Sequence, residues 1–220
     1  MADLIVFGTG KAALVASFYL DRFSDDFVVG YTVDDAYVDS DTFNGKPLVP
    51  WSELEQRFPP SQVHLLGPVT AARLNSLRRD RFHEGKQRGY SFASFVHPES
   101  QNHANVIGEN CFILDSCTIQ PYVRIDDNVI VWSKTIIGHH SRVEEGCFLS
   151  SLVGVGGSVH VGRESYLGGF CSTGTGIILG ARSVLLNGAF VSRDGPDDSV
   201  YVGQKPREIR GGRDRVMKFF

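Results

Sequence analysis

The stretch Ile125-Asp-Asp-Asn-Val-Ile-Val131-Trp-Ser-Lys-Thr-Ile-Ile137-Gly-His-His-Ser-Arg-Val143 carries an aliphatic residue at every sixth position. The pattern runs on in both directions. From Ile107 to Val191 every sixth residue is aliphatic except Thr173. Four residues after each comes a small or β-branched side chain, among them Cys111, Val129, Thr135, Ser141, Cys147, Val159 and Ala189. Gly recurs directly after the aliphatic, at Gly108, Gly138, Gly156, Gly162, Gly168, Gly174 and Gly180. A helix repeats every 3.6 residues and a strand every two, so a period of six belongs to neither. It fits a coil with flat sides, each side turning one large and one small residue inward, with Gly at corners that need φ > 0. With three sides per coil, the segment from Ile107 to Pro196 makes a stack roughly 24 Å tall at about 4.8 Å per coil. Open end edges of such a stack invite pairing with other chains. The N-terminal region is therefore expected to cover one end and the residues after Pro196 the other.

Composition narrows the class. The chain has 220 residues and a formal net charge of −3, with no overall basicity to draw it to nucleic acid or an anionic membrane. No apolar run approaches the roughly 20 residues of a membrane span. Met1-Ala-Asp-Leu-Ile-Val-Phe-Gly reads as a strand and not as a signal peptide. A cytoplasmic protein is expected. The four cysteines, Cys111, Cys117, Cys147 and Cys171, all take the small inward position of the repeat. Like members of a column have at least one coil between them, so they read as core fillers and not as disulfides or metal ligands.

The first third of the chain has another pattern. Leu4-Ile-Val-Phe7 reads as a buried strand, Gly8-Thr9-Gly10-Lys11-Ala12-Ala13 as a tight turn, and Leu14 to Leu20 as a helix. A strand, a Gly turn and a helix N-terminus form a nook that favours anions. A second strand, Phe27 to Val33, ends at Asp34-Asp35, acids placed to accept hydrogen bonds from a ribose or base. Ser52 to Glu55 fits a capping box for a short helix from Glu53 to about Phe58. Val63 to Leu66 reads as a third strand ending at Gly67, and a polar helix is expected from about Thr70 to Glu84. Fewer than about 100 residues leave room for one mononucleotide half of a dinucleotide fold, which favours a single nucleotide moiety over NAD.

Hexads such as Ile107-Gly-Glu-Asn-Cys and Val161-Gly-Arg-Glu-Ser resemble those of the hexapeptide-repeat acyltransferases, whose coils form a left-handed parallel β-helix. The order of elements resembles one branch of that group: a Gly-turn α/β domain, then Val96-His97-Pro98, the coils, and Tyr201-Val-Gly-Gln-Lys-Pro206. That branch comprises the sugar acyltransferases typified by the bacillosamine, perosamine and viosamine N-acetyltransferases, with sialic acid O-acetyltransferases related. The resemblance implies an α/β N-terminal half-Rossmann domain over residues 1–94. A left-handed parallel β-helix of hexapeptide repeats with a C-terminal tail would then fill residues 95–220. It further implies a homotrimer that moves an acetyl group from acetyl-CoA to the amine of a nucleotide-linked amino sugar, such as a 4-amino-4,6-dideoxyhexose.

An amine attacking a thioester needs a base, a donor for the oxyanion and a groove for CoA. His139 stands at an outward corner, two residues after Ile137. The resemblance makes it the catalytic base. It also makes Gly157, one coil on, the oxyanion donor. Small residues Ser151 and Gly169, with Asn187, line a neighbouring corner as a furrow for the pantetheine arm; Gly169, Asn187 and Phe148 match CoA-contact positions. Gly10, Lys11, Asp34, Asp35 and Gly67 match substrate-binding positions, and Lys205 lies in the closing turn near the CoA adenine. The departure is His140, where the family commonly has an acid or Asn. It is either a neutral hydrogen-bond partner of His139 or outside the site. Three other readings stay open on the residues alone. They are O-acetylation of a sugar, a zinc site drawing on His139 and His160, and a non-catalytic assembly protein.

Overall fold

In a computed structural model, the described residues are 1–68, 71, 73–204 and 217. Lys205 and the basic residues Arg207, Arg210, Arg213, Arg215 and Lys218 lie outside them. Among the described residues, no helix is long and apolar enough to cross a membrane.

The N-terminal domain is a six-stranded sheet. Its strands are β1 (Asp3–Phe7), β2 (Phe27–Val33), β3 (Thr42–Phe43), β4 (Lys46–Pro50), β5 (His64–Leu66) and β6 (Ser91–Phe92), in the order β3-β4-β2-β1-β5-β6. All pairings are parallel except the β3–β4 hairpin. Leu4, Ile5 and Val6 are fully buried in the central strand. A parallel strand covered on both faces reads as a continuous apolar run. Leu4 and Val6 pack with helix α1 (Lys11–Phe23), and Ile5 with Trp51, Leu54 and Phe82.

Two local expectations change. The capping box at Ser52 does not form: Trp51–Glu53 is a 3₁₀ turn leading into α2 (Leu54–Arg57), which has no side-chain cap. The Ser52 N–H is instead donated to Asp35 at 3.1 Å. Helix α3 starts at Ser76 and runs to Gln87, later than the composition suggests. Arg73, Leu74 and Asn75, all with φ between 50° and 71°, hold the preceding backbone in a left-handed turn.

The rest of the chain is a triangular parallel β-helix. Its first face has seven strands, from Phe95–Val96 to Val200–Tyr201. The second has six, from Gln101–Asn102 to Phe190–Val191, and the third five, from Val106–Ile107 to Ile178–Leu179. The register is the column arithmetic of the repeat: Phe112 pairs with Ile130, and Ile130 with Phe148. The coils begin earlier than the repeat, because Phe95–Val96 already pairs with Phe112–Ile113 in a register one residue short.

The recurring Gly has a different cause from the one expected. The positive φ falls two residues later, at Asn110, Ser116, Tyr122, Asn128, Lys134, His140 and onward, mostly in residues that are not Gly. Where Gly follows the aliphatic, it is there for space. A Cβ added at Gly138 would lie 2.5 Å from the Gly156 carbonyl carbon and 2.6 Å from the Gly157 nitrogen, in the backbone of the next coil. The small inward position also has a chemical logic. Thr135 Oγ1 donates to the Ser150 carbonyl at 2.9 Å and Ser141 Oγ to the Gly156 carbonyl at 2.9 Å. The Cys111 and Cys147 thiols point at the Asp126 and Gly162 carbonyls in the same way. All four cysteines are buried and unbridged, and burial pushes the thiols of Cys111, Cys147 and Cys171 up to about 12.

The N-terminal domain does not cap an end of the stack. It lies along the first face, where Phe95, Phe112, Leu114, Ile130 and Phe148 share one core with Leu4, Ala13, Ala16 and Leu20. Polar contacts fix both edges of that face. At one edge the buried Arg78 of α3 donates from Nη2 to the carbonyls of Gly146 at 2.6 Å and Cys147 at 3.0 Å, and from Nε to that of Asn128 at 3.2 Å. Burial lowers its pKa to about 10, which leaves it charged at neutral pH. At the other edge, Tyr19 of α1 donates to Asp115 at 2.7 Å, and Asp115 also accepts from Ser133 at 2.6 Å.

Two measurements check this packing. Gly138→Ala should destabilise the fold by about 2 kcal/mol in urea titration, because backbone and not a flexible side chain would have to yield. The native thiols should be silent to a thiol reagent such as DTNB, with all four reacting once the coils unfold.

Candidate active site

His139 and His140 sit at the corner that follows the second-face strand Ile136–Ile137, and both are exposed. The corner is built by the coil geometry. His140 takes the left-handed position of its turn, with φ 59°, and donates its N–H to the Pro121 carbonyl at 3.2 Å. Tyr122 occupies the same position one coil earlier, and its ring lies 4.6 Å from that of His140 with an interplanar angle of 37°. The two imidazoles meet nearly at right angles, with Nδ1 of His139 3.1 Å from Nδ1 of His140.

Gly157 lies one coil above His139, and its lack of a side chain makes room for the imidazole. A Cβ there would be 2.9 Å from both Cε1 and Nε2 of His139. So the Nδ1 edge of the ring meets His140 and the Nε2 edge lies over Gly157. The backbone beneath differs by one side chain. The His139 N–H is donated to Oε1 of Gln120 at 2.9 Å. The residue that stands to Gly157 as Gln120 stands to His139 is Gly138, which has no side chain to accept. Among the described residues, the Gly157 N–H is left without a protein acceptor. An unpaired N–H beside a basic nitrogen can hold a developing oxyanion while the nitrogen takes a proton.

Neither imidazole has a carboxylate partner among the described residues, whereas His83 lies 2.8 Å from Glu145 and His160 2.8 Å from Glu144. His160 is thereby engaged away from His139. Among the described residues no three His, Cys, Asp or Glu side chains are grouped to hold a metal ion.

The other expected site residues divide into open and buried sets. Gly10 stands at the N-terminus of α1 beside Lys11, and side chains added at Gly8 or Gly10 would meet nothing within 4 Å, so this turn is open. Asp34 pairs with Arg81 at 2.6 Å, and hydrogen bonds from Ser52 hold the exposed Asp35 carboxyl below the usual carboxylate range. Gly67, expected at the substrate, is buried; its N–H is donated to Asn110 Oδ1 at 2.7 Å, and Asn110 in turn donates to Asn128 at 2.8 Å. It docks the domain onto the coil. Phe148, expected at CoA, is also buried, stacked on Tyr166 at 5.6 Å in the core between domain and coil. Ser151, Gly169 and Asn187 line the corner after the first face, a different edge of the prism from His139. Gln120 and Tyr122 were not singled out from the sequence. Their columns held the signal: Gln120 stands in a column whose next three coils hold Gly138, Gly156 and Gly174, and Tyr122 one coil below His140.

The bacterial transferase hexapeptide family (six repeats) matches residues 106–139. No curated protein matches the chain. Among solved structures, the acetyltransferase domain of PglB from Neisseria gonorrhoeae FA1090 is 20% identical, with a TM-score of 0.80 over 95% of this chain and 100% of that one. A histidine-substituted mutant of perosamine N-acetyltransferase from Caulobacter crescentus, solved with CoA and GDP-perosamine, is 22% identical. It has a TM-score of 0.82, covering 92% of this chain and 94% of its own. WeeI from Acinetobacter baumannii AYE is 15% identical with a TM-score of 0.70, covering 95% of this chain and 100% of its own. An α/β N-terminal domain followed by a left-handed parallel β-helix of hexapeptide repeats is thus the fold that this chain shares with these proteins.

Proposed function

We propose that this protein is an acyltransferase that moves an acetyl group from acetyl-CoA to the amine of a nucleotide-linked amino sugar, a 4-amino-4,6-dideoxyhexose. The observation that carries the reading is the His139 ring lying over Gly157, whose N–H is left without a protein acceptor. The neutral amine attacks the thioester carbonyl, a C–N bond forms, and Nε2 of His139 takes the proton released by nitrogen. The Gly157 N–H holds the oxyanion. On collapse the C–S bond breaks and His139 returns the proton to the thiolate, so the base is regenerated. The open turn at Gly10 and Lys11 takes the phosphates at the N-terminus of α1, and Asp35 accepts from the ribose or base. The solved perosamine N-acetyltransferase complexes, which contain CoA and GDP-perosamine, support this substrate class.

Nucleotide turn and base belong to different copies in this reading. The N-terminal domain covers the first face, while His139 projects where the second and third faces meet. Among the described residues no hydrogen bond, ion pair or ring contact joins His139 or His140 to that domain. Large apolar side chains remain exposed on the coils, including Phe170 at 72%, Phe190 at 66% and Ile136 at 50%. Such surface favours burial between copies. A homotrimer would bring the Ser151, Gly169 and Asn187 corner of one copy against the His139 corner of the next, with CoA in the furrow between them. The reaction is assigned to the cytoplasm, in the making of a surface glycan.

Incubation with acetyl-CoA and a panel of UDP-, dTDP- and GDP-linked amino sugars should release free CoA with at least one member; release only with hydroxyl sugars would overturn the reading. His139→Ala should lower kcat/KM by about 10²- to 10⁴-fold. Gly157→Ala pushes against the exposed His139 ring and not backbone. It should lower kcat by about a hundredfold while the melting temperature stays put.

A further inference from the structure

The His139–His140 contact poses a proton-counting problem. Two Nδ1 atoms 3.1 Å apart share one proton, and with both rings neutral it has two places to sit. If His140 holds it, His139 Nδ1 is the acceptor, its own proton is on Nε2, and it has no lone pair to offer an amine. If His139 holds it, His140 Nδ1 accepts, and the Nε2 of His139 is a base.

We propose that His140 is a positioning residue that holds His139 in its Nδ1–H tautomer, by accepting that hydrogen at its own Nδ1. This rests on the acyltransferase reading of the site. The proposed reaction chooses between the two arrangements. The Nε2 edge of His139 lies over Gly157, on the open side of the ring pair, and only with the shared hydrogen on its own Nδ1 does His139 have an Nε2 lone pair there for the amine. The acceptor ring is itself fixed. Its backbone is held by the left-handed turn and by the bond to Pro121, and its ring face by Tyr122 at 4.6 Å. Because neither ring has a carboxylate partner among the described residues, the neutral imidazole of His140 does by hydrogen bonding what a fixed negative charge does elsewhere. When Nε2 takes the amine proton, the imidazolium keeps its Nδ1–H directed at His140, and the charge is shared across that bond. No proton is lost or gained by the pair over the cycle.

Nitrogen-15 NMR of the full-length protein with labelled histidine tests this without turnover. The expected result is a protonated Nδ1 and bare Nε2 on His139, with the reverse on His140; a protonated Nε2 on neutral His139 would overturn the proposal. Kinetics gives a second test. His140→Phe keeps a ring against Tyr122 but has no acceptor, and should lower kcat by about a hundredfold with little change in KM for either substrate. His140→Asn places Oδ1 where Nδ1 was, and should recover kcat to within about threefold of the parent. Equal kcat for the Phe variant and the parent, or an Asn variant as poor as the Phe one, would overturn the proposal. If His139→Ala retained full activity, the base assignment itself would fail, and the NMR result would still report the tautomer.

Discussion

Every feature of this protein is subject to one constraint, the requirement that each coil stack backbone against backbone on the next. That stacking sets the eighteen-residue register, visible in the pairing of Phe112 with Ile130 and of Ile130 with Phe148. Where Gly follows the aliphatic, it brings the coils so close that a Cβ at Gly138 would enter the next coil's backbone. It gives the inward hydroxyls and thiols a carbonyl to bond, as at Thr135, Ser141 and Cys147. The same geometry places Tyr122 beside His140 and Gly157 over His139. The site is a local variation in columns that otherwise hold the prism together.

The N-terminal domain depends on the same scaffold. Its sheet and α1 share a core with the first face, and Arg78, Asn75 and Gly67 use carbonyls and an Asn column presented by the coil turns. Docking along a side and not on an end has a functional consequence. The open turn at Gly10 is carried on one face, while His139 projects from the opposite corner. In the proposed reading the chemistry is assembled from two copies, with the exposed apolar side chains of the coils as the surface between them.

Much of the fold was legible because a strict period leaves little freedom. The hexads gave the inward columns, the burial of all four cysteines and the corner that holds His139. Other features depend on contacts between segments far apart in the chain, which no local pattern carries. Gly67 and Phe148 look like surface contacts until the domain docks, and then both are buried. Helix α3 begins late because its preceding turn is shaped to meet the coil through Asn75 and Arg78. The Gly columns were legible as positions but not as cause, since crowding against a neighbouring coil and a positive φ both select the same residue. The His139–His140 contact needed coordinates, because the sequence cannot say which ring edges meet.

The proposed division of labour has one copy supply the base and another the nucleotide turn. Mixed assemblies test it most directly. A chain carrying His139→Ala is co-expressed in equal amount with a chain carrying Gly10→Trp, which blocks the open turn; each is inactive alone. Random mixing should restore about a quarter of the parent's activity, because one junction in four joins an intact His139 to an intact turn. Mixed assemblies with no activity above the two separate variants would contradict the account, since each chain would then carry a complete site of its own.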